Sequence, residues 1–205
     1  MEKSEKIKAV IWDMGGVLIR TEDPKPRAQL AASLGLSVRE LAARVFDCEA
    51  AQLATIGKKT ADAIWDDIRR DLKMSDEEVL EFQKQFFKGD SVDYDLLRYI
   101  DGLRPGCKTA LLSNAWTGAR EFIDQRYGIL RYFDETLFSA EVAIAKPDPT
   151  IYNLMLERLG VSAGEANFVD DFEENVTGAN EVGIHGVRFV SARQAREDIN
   201  RLLQG

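Results

Sequence analysis

Short apolar runs that stop at polar or glycine residues alternate along the chain with longer stretches whose apolar positions recur at helical spacing. Five runs read as strands. They are Ile7 to Trp12, closed by Asp13 and Gly15-Gly16; Lys108 to Leu112, closed by Ser113-Asn114; a weaker run from Glu135 to Phe138; Ala166 to Val169, closed by Asp170-Asp171; and Gly186 to Val190. Strands alternating with amphipathic stretches predict an α/β fold in which a parallel, Rossmann-like sheet is sandwiched by helices.

The long interval between the first two strands reads as helical. Ser37 followed by Glu40, and Ser75 followed by Glu78, have capping-box spacing. Ala61 to Leu72 and Glu77 to Phe87 carry apolar residues at helical intervals. This is too much chain for one crossover helix. The expected organisation is a core of residues 1–19 and 96–205 with an inserted helical cap of residues 20–95. Trp65, Phe82, Phe86 and Phe87 then read as packing within the cap, and no internal repeat interrupts the pattern.

Composition narrows the picture. The 205 residues are 45% apolar and 30% charged, which suits one compact core with a modest insertion. A net charge of −8, with no basic stripe, argues against nucleic acid as a partner. The same field repels phosphates, so a phosphate site here needs a lysine and a metal close together. Cys48 and Cys107 are far apart in the chain and read as unpaired thiols of a cytoplasmic protein. The charged start, Met1 to Lys8, does not resemble a secretory signal. No stretch approaches the roughly 20 apolar residues of a membrane helix, so no membrane partner is expected.

Ligands of open parallel sheets bind beyond the carboxyl ends of the strands. Asp13, Ser113 and Asp170-Asp171, each closing a strand, are therefore expected to converge. Asp13, in a loop expected to lie beside solvent, is ionised at neutral pH and needs no base to act as a nucleophile. Gly15-Gly16 permit a tight turn in which backbone amides approach an anion. Alternatively, Asp13 is simply a strand-closing aspartate. Ser113 and Asn114 offer a hydroxyl and an amide to phosphate oxygens, or are ordinary turn residues. In Lys146-Pro147-Asp148-Pro149, Asp148 and Pro149 read as the N-cap and first residue of a helix over Thr150 to Leu159. The prolines fix Lys146, whose ammonium can neutralise a carboxylate and an incoming phosphate; otherwise it is a solvated loop lysine. Asp170 and Asp171, followed by Asn175, suit a hard cation such as magnesium, or an acidic cap on the next helix. His185, the only histidine, precedes the last strand, which argues against Ser-His-Asp chemistry.

Taken in order, Asp13-x-Gly-Gly-Val, Ser113-Asn114, Lys146-Pro-Asp-Pro-x-Ile-Tyr and Asp170-Asp171-x-x-x-Asn175 resemble the four motifs of the haloacid dehalogenase superfamily. An insertion between the first and second motifs resembles its helical-cap subfamily. The start Asp13-x-Gly15 resembles the branch that includes sugar-phosphate phosphatases such as α-glucose-1-phosphate phosphatase. The resemblance implies a magnesium-dependent phosphatase of a small phosphorylated metabolite, working through an aspartyl-phosphate on Asp13. It implies magnesium held by Asp13, the Gly15 carbonyl and Asp171, with Asp170 and Asn175 supporting. Phosphate would meet Ser113, the amide of Asn114, the Met14-Gly15 backbone and Lys146. One position departs: most phosphatases of the superfamily carry a second aspartate, an acid for the leaving group, where this chain has Gly15. Two alternatives follow from the resemblance, a haloacid dehalogenase that attacks carbon without metal and a non-catalytic protein on the same fold. Asp170-Asp171, and Gly15 in place of a bulky residue, argue against the first; Gly15 keeps the second open.

Overall fold

The computed structural model describes residues 6–204; Met1 to Glu5 and Gly205, expected as part of the core, lie outside the described residues. The chain begins with β1 (Ala9–Trp12) and β2 (Ile19–Thr21). Five helices follow: α1 (Lys25–Ser33), α2 (Val38–Phe46), α3 (Glu49–Thr55), α4 (Asp62–Leu72) and α5 (Asp76–Phe87). It returns through β3 (Asp90–Val92) and α6 (Tyr94–Leu103) to β4 (Lys108–Ser113), α7 (Ala119–Tyr127), β5 (Glu135–Phe138) and the short α8 (Ser139–Val142). Then come α9 (Pro149–Leu159), β6 (Ala166–Asp170), α10 (Glu173–Glu181), β7 (His185–Arg188) and α11 (Ala192–Gln204).

The five expected strands form one sheet in the order β5-β4-β1-β6-β7, every pairing parallel. All four residues of β1 are buried, as a central strand covered on both faces requires. Val10 and Trp12 face one layer, where Leu96, Leu97 and Ile100 of α6 and Ala195 and Ile199 of α11 pack. Ala9 and Ile11 face the other, with Ile151, Tyr152 and Met155 of α9 and Ala179 of α10. The last strand ends two residues earlier than expected. Phe189 N still bonds to Asp170 O (2.9 Å), but Val190 N turns to Gln194 Oε1 (3.0 Å) at the entry to α11.

Helices α1 to α5 share a separate apolar cluster that includes Leu41, Val45, Ile64, Ile68, Phe82 and Phe86. Both expected capping boxes are complete, so Ser37 and Ser75 start α2 and α5. The sequence reading missed the ribbon through which this helical unit leaves and rejoins the sheet. β2 and β3 pair antiparallel, Ile19 with Val92, Arg20 with Ser91 and Thr21 with Asp90. Three-residue strands such as Ile-Arg-Thr and Asp-Ser-Val are too short to show alternation. Cys48 and Cys107 are both free thiols. Among the described residues no helix is long and apolar enough to cross a membrane.

Candidate active site

β1 lies between β4 and β6, so their carboxyl ends are neighbours, and Trp12 is in register with Leu111 on one side and Val169 on the other. Asp13 is the next residue; its N–H continues the ladder to Val169 O (2.8 Å). Ser113 closes β4 and Asp170 closes β6, so the expected convergence occurs. One oxygen from each of Asp13, Asp170 and Asp171 falls within 4.8 Å of the others. Asp13 is not beside solvent, however: it is only 6% exposed. The loop after it folds back, with Leu18 N and Ile19 N both bonded to Met14 O (2.9 Å each), and buried Val17 and Leu18 close over the strand end.

Lys146 is buried among these groups. Its ammonium donates to Asp13 Oδ1 (2.5 Å), Asp170 Oδ2 (2.6 Å) and Leu112 O (3.0 Å), and lies 5.2 Å from the centre of the Phe168 ring. All three protons are therefore engaged on the protein, and Lys146 can offer an anion its charge more than a free N–H. Burial alone would strip its proton, but Asp13 and Asp170 outweigh burial and hold its pKa above the usual lysine value. Burial pushes Asp13 up to about 7 against the pull of Lys146, with Asp170 and Asp171 adding repulsion. The lysine loop is fastened as the prolines suggested: Asp148 caps α9 by accepting from Thr150 N (2.8 Å), with Pro149 as first helical residue.

Asn114 has a role that sequence reasoning missed. Its side chain donates to Lys146 O (2.9 Å) and accepts from Lys146 N (2.8 Å), a two-way clasp that leaves the Asn114 backbone N–H to offer an anion. No motif signals the clasp, because its partners are 32 residues apart. Ser113 is 1% exposed and forms no side-chain hydrogen bond with a described residue, so its hydroxyl is available to a ligand. His185 begins β7, at the other end of the sheet, and is exposed, with Nε2 on Gly164 O (3.1 Å).

Asp170 and Asp171 divide the acidic work. Asp170 is saturated: Lys146 and Asn175 Nδ2 bond to Oδ2, and Phe172 N (2.7 Å) and Asn175 Nδ2 to Oδ1. Asp171 Oδ1 is buried with no hydrogen-bond partner among the described residues. Burial and neighbouring Asp170 raise the Asp171 pKa above the ordinary range. An orphaned carboxylate oxygen beside two more carboxylates, with one ammonium to offset three negative charges, fits a hard divalent cation. Asp171 and the Asp13 oxygen that Lys146 leaves free are the groups that could ligate one, while Asp170 is fully engaged with Lys146, Asn175 and Phe172. Gly16 makes the arrangement possible: it has φ +80°, and a Cβ there would collide with the Asp171 carboxylate. Gly15 differs, since a Cβ at that position meets nothing within 4 Å.

Residues 7–183 match the family model of the haloacid dehalogenase-like hydrolases, and the chain belongs to that family of enzymes. The D-ribitol-5-phosphate phosphatase of Bacteroides thetaiotaomicron is 28% identical over 208 residues, covering 96% of this chain and 98% of that protein. A phosphorylated carbohydrates phosphatase of Thermotoga maritima is 30% identical over 186 residues, or 88% of this chain and 84% of that one. Among solved structures, a HAD family enzyme of B. thetaiotaomicron in a magnesium complex superposes with a TM-score of 0.72 at 25% identity, covering 90% of this chain and 94% of that one. A HAD-like hydrolase from Porphyromonas gingivalis, 22% identical, shares the fold with a TM-score of 0.76 over 98% of this chain and 100% of its own.

Proposed function

We propose that this hydrolase is a magnesium-dependent phosphatase of a small phosphorylated metabolite, with a sugar or polyol phosphate as the favoured substrate. One observation carries the reading: Asp13, Asp170 and Asp171 are gathered around a buried Lys146, with one Asp171 oxygen left unpaired. The two carbohydrate-phosphate phosphatases similar over most of the chain support the substrate class. In this proposal residues 1–19 and 96–205 form the catalytic core, and residues 20–95 form a cap that encloses the leaving group.

Asp13, Asp171 and the Gly15 carbonyl would hold magnesium, which when bound supplies positive charge against the phosphate and the developing negative charge. Ser113 Oγ and the backbone amides of Met14, Gly15 and Asn114 orient the phosphoryl oxygens. Lys146 favours the ionised form of Asp13 against burial and holds one of its oxygens in place. The Asp13 carboxylate attacks phosphorus, a P–O bond to Asp13 forms, and the bond to the leaving oxygen breaks with its electron pair. That oxygen takes its proton from water, since Gly15 has no acid to offer. Water then attacks the aspartyl-phosphate, releases inorganic phosphate and restores Asp13. Asn175 holds Asp170, and Asp170 holds Lys146, through both steps.

The test is phosphate release from a panel of sugar and polyol phosphates, with magnesium or with chelator, followed by trapping and mapping of phosphorylated Asp13. Release that requires magnesium, with the label on Asp13, is the expected result. Undiminished hydrolysis after exhaustive chelation, or turnover of haloacids but not of phosphates, would overturn the reading. A protein inert toward both classes would favour the non-catalytic alternative that Gly15 keeps open.

A further inference from the structure

We propose that Ser139 is a positioning residue for the reaction, setting the loop that follows β4 by bonding it to the helical unit. The inference rests on the proposed phosphatase function and concerns a residue outside the four motifs. Ser139 follows the carboxyl end of β5 and is completely buried. Its Oγ accepts from Ala115 N (3.0 Å) and lies 2.7 Å from Thr55 O and 3.2 Å from Ala115 O. A serine has one hydroxyl proton, and the shorter contact assigns it to Thr55. The Ser139 side chain, 84 positions from Thr55, thus joins the end of α3 to the residue after Asn114.

The neighbouring residues are held from the same side. Trp116 packs its ring against Phe46 (5.7 Å between centres) and Trp65 (5.9 Å). Thr117 Oγ1 accepts from Ala61 N (3.0 Å) and lies 3.4 Å from Lys59 O. Gly57, with φ +69°, sits so close to Ala140 that a Cβ would collide with its carbonyl oxygen. On the other side, Asn114 clasps the Lys146 backbone and the Lys146 ammonium rests on Asp13. The contacts run without a break from Thr55 through Ser139, Ala115, Asn114 and Lys146 to the nucleophile. Ser139 touches neither the nucleophile nor the metal ligands; it acts by giving the buried Ala115 N–H its partner. Without that hydroxyl the loop must shift to find another, and Asn114 and Lys146 shift with it. Displacement of an ångström at a reacting centre slows chemistry by up to about 100-fold.

Acetyl phosphate separates this role from a role in enclosing the substrate. Its acyl group is too short to lean on the helical unit and leaves without an acid. Ser139→Ala should lower kcat for acetyl phosphate and for the best sugar phosphate alike, by about 10- to 100-fold, with the magnesium requirement unchanged. Thr117→Val, which removes a parallel link without touching Ala115, should raise KM for the sugar phosphate and leave acetyl phosphate alone. If Ser139→Ala does not fold, Ser139→Cys, which keeps a weaker acceptor in place, should show a smaller loss on both substrates. A folded Ser139 variant that hydrolyses acetyl phosphate at the wild-type rate overturns the proposal, even if the sugar phosphate slows. A wild-type protein inert toward both substrates would instead remove the proposed function itself.

Discussion

Gly15→Asp should turn this protein into a faster phosphatase of ordinary alkyl phosphates. Gly15 does not adopt the left-handed backbone of Gly16, and a Cβ there meets open space, so the new side chain enters without a clash. A carboxylic acid two residues from the nucleophile could protonate the leaving oxygen. General acid catalysis contributes about 10²–10⁴-fold, or about 3–5 kcal/mol of barrier. Against this stands charge. The wild-type site holds three carboxylates and one ammonium, and a further carboxylate about 6 Å away adds repulsion of about 3 kcal/mol per pair at an effective dielectric of 20. A bound divalent cation cancels most of that repulsion, and what remains raises the new acid's pKa, which suits a proton donor near neutrality. The gain should therefore win at saturating magnesium and fade when magnesium is scarce. The assay is kcat/KM across aryl phosphates of graded leaving-group pKa and a set of sugar phosphates, for both proteins. Wild type should depend steeply on leaving-group pKa and favour glucose 1-phosphate over glucose 6-phosphate. The variant should flatten the series by accelerating the poorest leaving groups at least tenfold. A flat wild-type series, or a folded, magnesium-saturated variant with no gain on alkyl esters, would refute the reasoning.

Asp13→Asn should abolish turnover and covalent labelling while raising the Tm of the chelated protein at pH 8, because it removes a buried charge that burial disfavours; turnover near the wild-type rate would exclude the covalent route. The same burial predicts a pH effect on metal-free stability. The Asp13 pKa rises from 3.8 unfolded to about 7 folded, so the folded state binds more protons between those values, and Tm in chelator should fall from pH 4 to pH 7 relative to the Asp13→Asn variant. Lys146 stays protonated throughout that window and contributes no slope, while carboxylates held low, such as Glu165, act in the opposite direction in both proteins, so a wild-type Tm that does not fall relative to Asp13→Asn would contradict the assignment. Asp171→Ala should raise the magnesium needed for half-maximal activity more than Asp170→Ala does. Asp170→Ala should instead lower Tm, at a cost of about 3–5 kcal/mol, because Lys146 and Asn175 lose a buried partner. Equal Tm values for the two variants would show that the division of roles is wrong.

The strand ends were legible because the chemistry is attached to the pattern. Asp13 and Asp170 follow apolar runs that only a buried strand explains, and a parallel sheet brings such ends together whatever lies between them. Helices with caps were also visible, as at Ser37 and Ser75. What escaped depends on distance in sequence or on depth. Asn114 reads as a turn residue until Lys146, far along the chain, folds back onto it. Asp170 and Asp171 look interchangeable as a pair, and only the hydrogen bonds separate the saturated carboxylate from the open one. The burial of Asp13 follows from a loop of Val17 and Leu18 whose path no local propensity encodes. Ser139 has no motif at all, because a single hydroxyl gains meaning only from the two backbones it meets.

The ribbon of β2 and β3 makes the helical unit a graft. Thr21 faces Asp90, and the N–H groups of Glu22 and Asp23 both bond to Gly89 O (3.0 and 3.1 Å), so everything between enters and leaves through one gate. Opposed residues of antiparallel strands lie about 5 Å apart, a gap that a simple hairpin turn also spans. The chain connection itself thus accepts insertions of different length, and closing a longer or shorter loop changes the entropic cost only slowly. Asp13, Ser113, Lys146 and Asp171 all lie outside the grafted stretch. Transplanting residues 22–89 from a relative at this gate should carry over a new choice of leaving group where the donor also restores the contacts that Thr55, Gly57 and Ala61 make with Ser139, Ala140 and Thr117.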